Sequence, residues 1–248
     1  GGAGRGIDIV LAIDSSISMN AMDLKPTRLE SAKATAARFV RGRAEDRIGL
    51  VTFGGAPLLA CPLTVDYDAL VERVGSLEGG MTKADGTAVG DGLVSALRRL
   101  KESTAKSKVV VLLTDGRSNA GAVDPLTAAK AAAGMGVKVY AIGTATRGES
   151  VMQVEDPRFG KVTVPVGDDL DEETLSQVAR LTGGRYWRAE SATALRSVYD
   201  EIDRLEKSAV KLPDLVVKDE LYFWPVLLAA LLLLVEAALS ATWLLRWP

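Results

Sequence analysis

The chain has 248 residues, of which 48% are hydrophobic and 25% are charged, which is enough for one well-packed domain with an appendage. Its 30 basic and 32 acidic side chains give a formal net charge of -2, and no basic cluster indicates nucleic-acid binding. With no histidine and a single cysteine, Cys61, the chain has no histidine-based catalytic triad, internal disulfide or thiolate zinc cage.

Strand-like and helix-like segments alternate along residues 7–208. Apolar runs predict strands at 7–13, 48–53, 58–63, 109–113, 137–142 and 185–188. Apolar residues at helical spacing predict helices around 29–40, 89–100, 128–133, 175–181 and 195–205. Because helix-length segments separate the strands, we expect an α/β fold. Its core is predicted to be a Rossmann-like, open, mostly parallel six-stranded sheet with helices on both faces.

Residues 151–166 interrupt this alternation. They contain two runs of alternating apolar and polar residues on either side of Asp156-Pro157 and Gly160. This pattern predicts a β-hairpin inserted before the next helix, within a domain that covers residues 1–208. A spacer and a docking arm are the two roles that such an insertion suggests.

The C-terminal residues 221–247 are predicted to form a transmembrane helix. At about 1.5 Å per residue, a helix of this length crosses a hydrocarbon core of about 30 Å. Aromatic side chains occur near both ends of the stretch, as is typical of the two membrane interfaces: Tyr222, Phe223, Trp224, Trp243 and Trp247. Residues 209–220 are predicted to be a juxtamembrane linker.

Glu236 lies near the centre of the predicted span. A charged side chain there costs about 2.5–3.5 kcal/mol on the insertion scale, which the many leucines offset. Because buried acids in membranes usually face protein or water, we predict that Glu236 contacts a transmembrane helix of a partner. A protonated, lipid-facing glutamic acid is the alternative. Arg246, after the span, favours a cytoplasmic tail and therefore an extracytoplasmic domain.

Oxygen-bearing side chains follow two of the predicted strands. Asp14, Ser16 and Ser18 follow the first strand in D-S-S-I-S, and Asp115 follows the strand at 109–113 in T-D-G. Thr87 precedes a helix, within D-G-T. Because ligands bind where strand order reverses at the carboxyl ends of an open sheet, we expect these side chains to meet in one crevice. In an extended chain, residues 14, 16 and 18 would point the same way.

Carboxylate and hydroxyl oxygens predict a hard cation at this crevice: Mg²⁺, or alternatively Mn²⁺ or Ca²⁺. Two carboxylates neutralise a divalent ion, and the three hydroxyls add no charge. The ion can then accept an Asp or Glu carboxylate from a partner protein. We therefore predict a recognition site without enzymatic activity. Met19 and Asn20, beside the serines, are predicted to contact the partner, with core packing as the alternative.

Other charged residues near these motifs are interpreted as supporting groups. Asp85 and Asp91 flank Thr87, where an acid stabilises a helix start, and they are left out of the ligand set. Asp23 and Arg28 are interpreted as a solvated ion pair near the next helix.

The three motifs, in order on an α/β pattern, resemble the metal-ion-dependent adhesion site of von Willebrand factor type A (VWA) domains over residues 7–208. Further stretches are similar to the bacterial membrane-anchored Bat (aerotolerance operon) subgroup: K-P-T-R-L-E-S-A-K at 25–33, D-R-I-G-L-V-T-F at 46–53 and L-T-G-G-R-Y-W at 181–187. The resemblance implies that the serines and Thr87 bind the cation directly, while the aspartates act partly through water.

The resemblance also implies a cellular setting. The expected location is the bacterial inner membrane, with the domain on the periplasmic side. Expected partners are a MoxR-type AAA+ ATPase and other Bat-type membrane proteins, in envelope stress tolerance or protein maturation. Such proteins usually carry transmembrane helices before the domain, and this sequence shows none there, so the full topology stays open.

Two alternative functions stay open at this point. The first is a Mg²⁺-dependent phosphatase-like hydrolase, whose chemistry often uses Asp-x-Asp with a nearby lysine. Ser16 replaces the second carboxylate of that pair here. The second alternative is a structural scaffold whose metal site is vestigial, against which the complete set of five oxygen-bearing residues argues.

Overall fold

A computed structural model describes residues 6–156, 158–211 and 231–237 of the chain. The chain forms two compact units, Gly1–Lys211 and Leu212–Pro248. The first unit contains the candidate site. Its strands are, in chain order, β1 (Asp8–Asp14), β2 (Arg47–Phe53), β3 (Pro57–Thr64), β4 (Lys108–Thr114), β5 (Val137–Gly143), β6 (Ser150–Asp156), β7 (Gly160–Val166) and β8 (Tyr186–Arg188).

The central sheet has six strands in the order β3-β2-β1-β4-β5-β8. Its strand pairs are parallel except that β3 runs antiparallel to β2. The predicted α/β fold with a mostly parallel six-stranded sheet is therefore confirmed. From β1 the chain builds outward to β2 and β3 on one side, and later to β4, β5 and β8 on the other. Strand order thus reverses between β1 and β4, and this switch point is where an open sheet forms a ligand crevice.

Helices cover both faces of the sheet, as predicted. They are α1 (Arg28–Arg41), α2 (Tyr67–Gly75), α3 (Val89–Leu100), α4 (Pro125–Gly134), α5 (Glu172–Leu181) and α6 (Ala192–Lys211). Ile9, Leu11 and Ile13 of β1 pack in one core with α1, α2 and α6. Val10 and Ala12 face the other core, with α3, α4 and α5. Side chains that alternate across a buried strand thus fill two separate cores.

Helix α2 was not among the predicted elements. Its N-cap is Asp66, whose carboxylate accepts a hydrogen bond from the Ala69 N–H at 3.0 Å. Leu70 and Val74, four residues apart, are its buried residues. An acidic N-cap followed by apolar residues at this spacing is a helix signal, but the segment is short and its apolar face is narrow.

Strands β6 and β7 form a separate antiparallel two-stranded sheet, which confirms the predicted hairpin. The hairpin contacts the loop after β1 at its base. There the Met22 N–H donates to the Val151 carbonyl at 2.9 Å, and Ala21 forms a bridge with Met152. The insertion therefore begins beside the crevice rather than at a remote edge of the domain.

The predicted membrane span at 221–247 lies mostly outside the described residues. Of this stretch the structure describes 231–237, which are helical and exposed within their own unit. Among all described residues, no helix combines the length and apolar character needed to cross a membrane. The predicted linker begins at residue 209, whereas α6 continues to Lys211; residues 212–220 lie outside the described residues.

Candidate metal-binding site

The candidate site lies at the carboxyl ends of β1 and β4. Asp14 is the last residue of β1, and Asp115 directly follows β4. Both carboxylates are buried, with residue exposures of 0% and 2%. The two neighbouring parallel strands therefore deliver both predicted acids to the switch point, as the sequence indicated.

The loop after β1 folds back over Asp14. The Asp14 carboxylate accepts the Ser16 N–H at 2.8 Å through Oδ1 and the Thr114 hydroxyl at 2.6 Å through Oδ2. A 3₁₀ turn at Ile17–Asn20 then brings the Ser18 hydroxyl to 3.1 Å from that of Ser16. The predicted reason for their convergence, an extended chain, is wrong, because this turn replaces the extended backbone.

Ser18 joins the first loop to Asp115. Its hydroxyl donates to Asp115 Oδ1 at 2.9 Å. Because a serine hydroxyl carries one hydrogen, the bond between the two serines must be donated by Ser16. The hydroxyls of Ser16 and Ser18 and the carboxylate of Asp115 thus form one hydrogen-bonded row along the crevice.

Arg28 and Asp23 are part of this site, which corrects their interpretation as a solvated pair. Arg28 is 1% exposed and donates through Nη1 to Asp115 Oδ2 at 2.9 Å. Its Nε and Nη2 donate to the two Asp23 oxygens, each at 2.8 Å. Asp23 Oδ2 also accepts the N–H and the hydroxyl of Thr146, both at 2.9 Å. A buried ion-pair network therefore stands behind Asp115.

Thr87 is held at the crevice by the loop after β4. Its N–H donates to the Asn119 side-chain oxygen at 2.8 Å, and its carbonyl accepts the Asn119 N–H at 3.0 Å. Gly86 has a φ of +88°, and a Cβ there would lie 2.6 Å from the same Asn119 oxygen. Glycine at position 86 thus permits this close approach.

A cleft of about 400 Å³ opens over these residues. Ser16, Ser18, Thr87 and Asp115 line it, and Asp14 lies beneath. Its wall also includes the end of β7, the buried Arg28 and four exposed side chains: Ile17, Arg117, Asn119 and Asp169. The structure therefore brings four of the five predicted ligands to one cleft and places the fifth in hydrogen-bond contact with Ser16 below them.

The electrostatics of the two carboxylates favour a cation. Burial raises the pKa of Asp14, and the negative charge of Asp115 raises it further. Burial also raises the pKa of Asp115, although Arg28 works in the opposite direction. The ionised forms of Asp14 and Asp115 are therefore disfavoured at these buried positions, and a nearby positive ion would stabilise them. Burial alone would raise the pKa of Asp23, but the hydrogen bonds from Arg28 and Thr146 lower it to about 2.

The other predicted site residues are placed differently. Met19 is fully buried in a core, where its sulfur accepts the Thr144 hydroxyl at 3.8 Å. The prediction that Met19 contacts a partner is therefore corrected to core packing. Asn20 is half-buried against Gly79, away from the cleft lining, and Glu236 is exposed within residues 231–237. Partner contact stays a prediction for these two residues. Asp91 accepts the N–H groups of Ala122 and Val123, outside the site.

Sequence reasoning missed the role of four residues of the site: Asp23, Arg28, Thr114 and Asn119. Thr114 and Asn119 stand in the same L-L-T-D-G-R-S-N stretch as Asp115, so their proximity was a usable signal. Arg28 gave no such signal, because arginine is rarely buried and a nearby acid is usually interpreted as a surface partner.

Comparisons with known proteins agree with this architecture. The family profile of the von Willebrand factor type A domain matches residues 8–201. A UPF0353 protein from Nocardia farcinica is 31% identical over 214 residues; the alignment covers 79% of this chain, which spans 62% of that relative's length.

Two solved structures share the fold. The hypothetical protein BatB from Bacteroides thetaiotaomicron is 27% identical with a TM-score of 0.70, covering 82% of this chain and 100% of that one. An aerotolerance-related membrane protein from Bacteroides fragilis is 26% identical with a TM-score of 0.67, covering 80% and 100%. These matches confirm the resemblance predicted from the motifs, and the chain belongs to the von Willebrand factor type A domain family.

Proposed function

We propose that this domain binds a divalent cation, Mg²⁺ or Mn²⁺, and uses it to hold an Asp or Glu carboxylate of a partner protein. The proposed ligands are Asp14, Ser16, Ser18, Thr87 and Asp115. The observation that carries the proposal is the row of hydroxyls running from Ser16 to Asp115 at an open cleft, above a second buried carboxylate. Such oxygens are the ligands that these ions prefer.

The charge balance of the site supports recognition of an acid. Arg28 and Asp23 cancel each other, so Asp14 and Asp115 supply the two negative charges that match a divalent ion. The neutral hydroxyls leave the ion able to attract one further anionic ligand from the cleft. Two further exposed charges line the cleft, Arg117 and Asp169, and they offset each other.

We also propose the cellular setting that the sequence indicated. Residues 221–247 would anchor the chain in the bacterial inner membrane, with the domain on the periplasmic side. A MoxR-type AAA+ ATPase and other Bat-type membrane proteins are the proposed partners, and Glu236 would contact one of their transmembrane helices. Support comes from the similar structure of a protein named as an aerotolerance-related membrane protein. Glu236→Leu should then remove a component from complexes extracted from membranes.

Calorimetric titration of the full chain with Mg²⁺ tests the metal site. The unmodified chain should bind one ion, and Asp14→Ala should bind none. Asp85→Ala is the matched control, because Asp85 is an exposed acid two residues from Thr87 and is not a proposed ligand. Retained binding by Asp14→Ala would refute the proposed site.

Capture from solubilised membranes tests the recognition role. Partners should be retained by the unmodified chain with Mg²⁺, released by chelator, and not retained by Thr87→Ala. Capture that is equal with and without chelator would favour the scaffold alternative. Magnesium-dependent release of phosphate from an aryl phosphate, lost in Asp14→Ala, would favour the hydrolase instead.

A further inference from the structure

The two oxygens of the Asp115 carboxylate have different surroundings. Oδ1 accepts the Ser18 hydroxyl at 2.9 Å and so faces the row of proposed ligands. Oδ2 accepts the Arg28 guanidinium at 2.9 Å, at the buried edge of the cleft, where Arg28 is 1% exposed. A carboxylate held in this way presents one oxygen to the cleft and the other to a fixed positive charge.

Arg28 is held in this position from three directions. It lies in the first turn of α1, and its side chain is 1% exposed. The fork formed by Nε and Nη2 is paired with both oxygens of Asp23. Asp23 in turn is fixed by the N–H and hydroxyl of Thr146, in the loop after β5. The guanidinium therefore cannot leave Oδ2 without breaking several buried hydrogen bonds.

This arrangement affects cations of different size unequally. Ca²⁺ takes six to eight oxygens and often both oxygens of one carboxylate, whereas Mg²⁺ requires near-octahedral coordination by single oxygens. A cation bound to Oδ2 would stand beside the guanidinium, and the two positive charges would repel each other. Asp14 is restricted as well, because its two oxygens accept the Ser16 N–H and the Thr114 hydroxyl.

We propose that Arg28 is a specificity-determining residue of this site, which by holding Oδ2 of Asp115 limits that carboxylate to one metal-binding oxygen and makes the site favour Mg²⁺ over Ca²⁺. The inference rests on the proposed function, since it concerns the ion held there. It assigns to Arg28 a positioning role, through Asp115, rather than a role as a ligand.

The double variant Asp23→Asn/Arg28→Met tests this role. It removes one negative and one positive charge together, so the net charge behind Asp115 is unchanged while Oδ2 is released. The dissociation constants for Mg²⁺ and Ca²⁺ are measured separately on the full chain. The quantity compared is the Ca²⁺ dissociation constant divided by the Mg²⁺ dissociation constant. This ratio should be at least roughly tenfold larger for the unmodified chain than for the variant, because the variant can offer Ca²⁺ both oxygens.

A second buried arginine provides the matched control. Arg43 pairs with Asp46 at 2.9 Å and with Asp203 at 2.8 Å, and its side chain is also 1% exposed. It contacts none of the proposed ligands. Asp203→Asn/Arg43→Met therefore makes the same chemical change elsewhere, and it should leave the ratio of the two dissociation constants unchanged.

Each outcome decides the matter. If the unmodified chain binds Mg²⁺ and the ratio is the same in Asp23→Asn/Arg28→Met, the role of Arg28 is refuted while the proposed function stands. An equal change in the Arg43 control also refutes it, because the effect would then be general loosening. If the unmodified chain binds neither ion, both proposals fail.

A measurement on the unmodified chain tests the proposal even if the variant does not fold. A crystal structure of the chain soaked with Ca²⁺ shows directly which Asp115 oxygens bind the ion. We expect Oδ2 to remain on Arg28. A Ca²⁺ ion bound by both Asp115 oxygens would overturn the proposal.

Discussion

The two ends of the central sheet bury acids in opposite ways. At the carboxyl end, Asp14 is buried close to Asp115, and its pKa is raised by burial and by that second charge. At the amino end, Glu206 of α6 is 1% exposed. Burial alone would raise the pKa of Glu206, but hydrogen bonds from Tyr140, Ser107 and Lys138 outweigh it and the pKa lies below its usual value.

The difference lies in the donors that surround each acid. Glu206 accepts hydrogen bonds from the Tyr140 hydroxyl at 2.5 Å, the Ser107 hydroxyl at 2.7 Å and the Lys138 ammonium at 3.1 Å. Among the described residues, the donors to Asp14 are neutral groups, and Asp14 faces a like charge. An acid with a full set of donors, one of them cationic, stabilises the fold, whereas an acid without a cation is suited to binding one.

The largest expected effect is at the amino end. Glu206→Leu should lower the free energy of unfolding by about 3 kcal/mol, because it leaves Tyr140, Ser107 and Lys138 without their shared acceptor. Urea unfolding monitored by circular dichroism measures the change. Glu149→Leu is the control at an exposed acid and should change stability by less than about 0.5 kcal/mol. A loss for Glu206→Leu as small as that of the control would remove the contrast between the two ends.

The pH dependence of stability should come next in size. Because the pKa of Glu206 is lowered in the fold, its contribution is complete above the ordinary glutamate pKa and is lost as the pH falls through the lowered value. The difference in unfolding free energy between the unmodified chain and Glu206→Gln should therefore shrink from pH 6 toward pH 3. Urea unfolding at several pH values measures it. A difference that stays constant over this range would contradict the shift.

The opposite sign is expected at the carboxyl end. In chelator, Asp14→Asn should raise the free energy of unfolding by about 1 kcal/mol, because it removes one of two repelling buried charges. With Mg²⁺ at a hundred times its dissociation constant, the unmodified chain should gain about 2.7 kcal/mol and the variant nothing. Thermal unfolding in the two buffers measures both changes. Destabilisation by Asp14→Asn in chelator would mean that Asp14 is structural, as Glu206 is.

Periodicity and chain order were enough to predict the sheet and the meeting of the two loops. The apolar runs gave the strands, and parallel pairing placed Asp14 and Asp115 at one switch point. The hairpin at 151–166 was also readable, because alternation of apolar and polar residues is a local property. These features depend on regular backbone structure, and the matching pattern of apolar residues repeats along each segment.

The contacts around the site could not be predicted in the same way. Around the 3₁₀ turn at Ile17–Asn20, Ser16 and Ser18 donate hydrogen bonds to Asp14 and Asp115. The buried Arg28 pairs with acids at positions 23 and 115. The contacts with Asp115 join residues far apart in sequence, and none of these contacts produces a periodic pattern in the sequence. Met19 shows the converse error, since adjacency to a predicted ligand says nothing about which way a side chain points.

The smallest expected effect concerns Asn119, which lines the cleft and holds the Thr87 backbone. Asn119→Ala removes the acceptor of the Thr87 N–H, and water in the open cleft can replace it, so the stability loss should stay under about 1 kcal/mol. Affinity for Mg²⁺ should nevertheless fall by roughly threefold, because the Thr87 hydroxyl is no longer held toward the cation. Titration of Asn119→Ala beside Ser118→Ala, its neighbour in the same loop, measures the effect. Equal Mg²⁺ affinities in the two variants would mean that this loop does not position Thr87. Helix α3, which follows Thr87, would then have to position it alone.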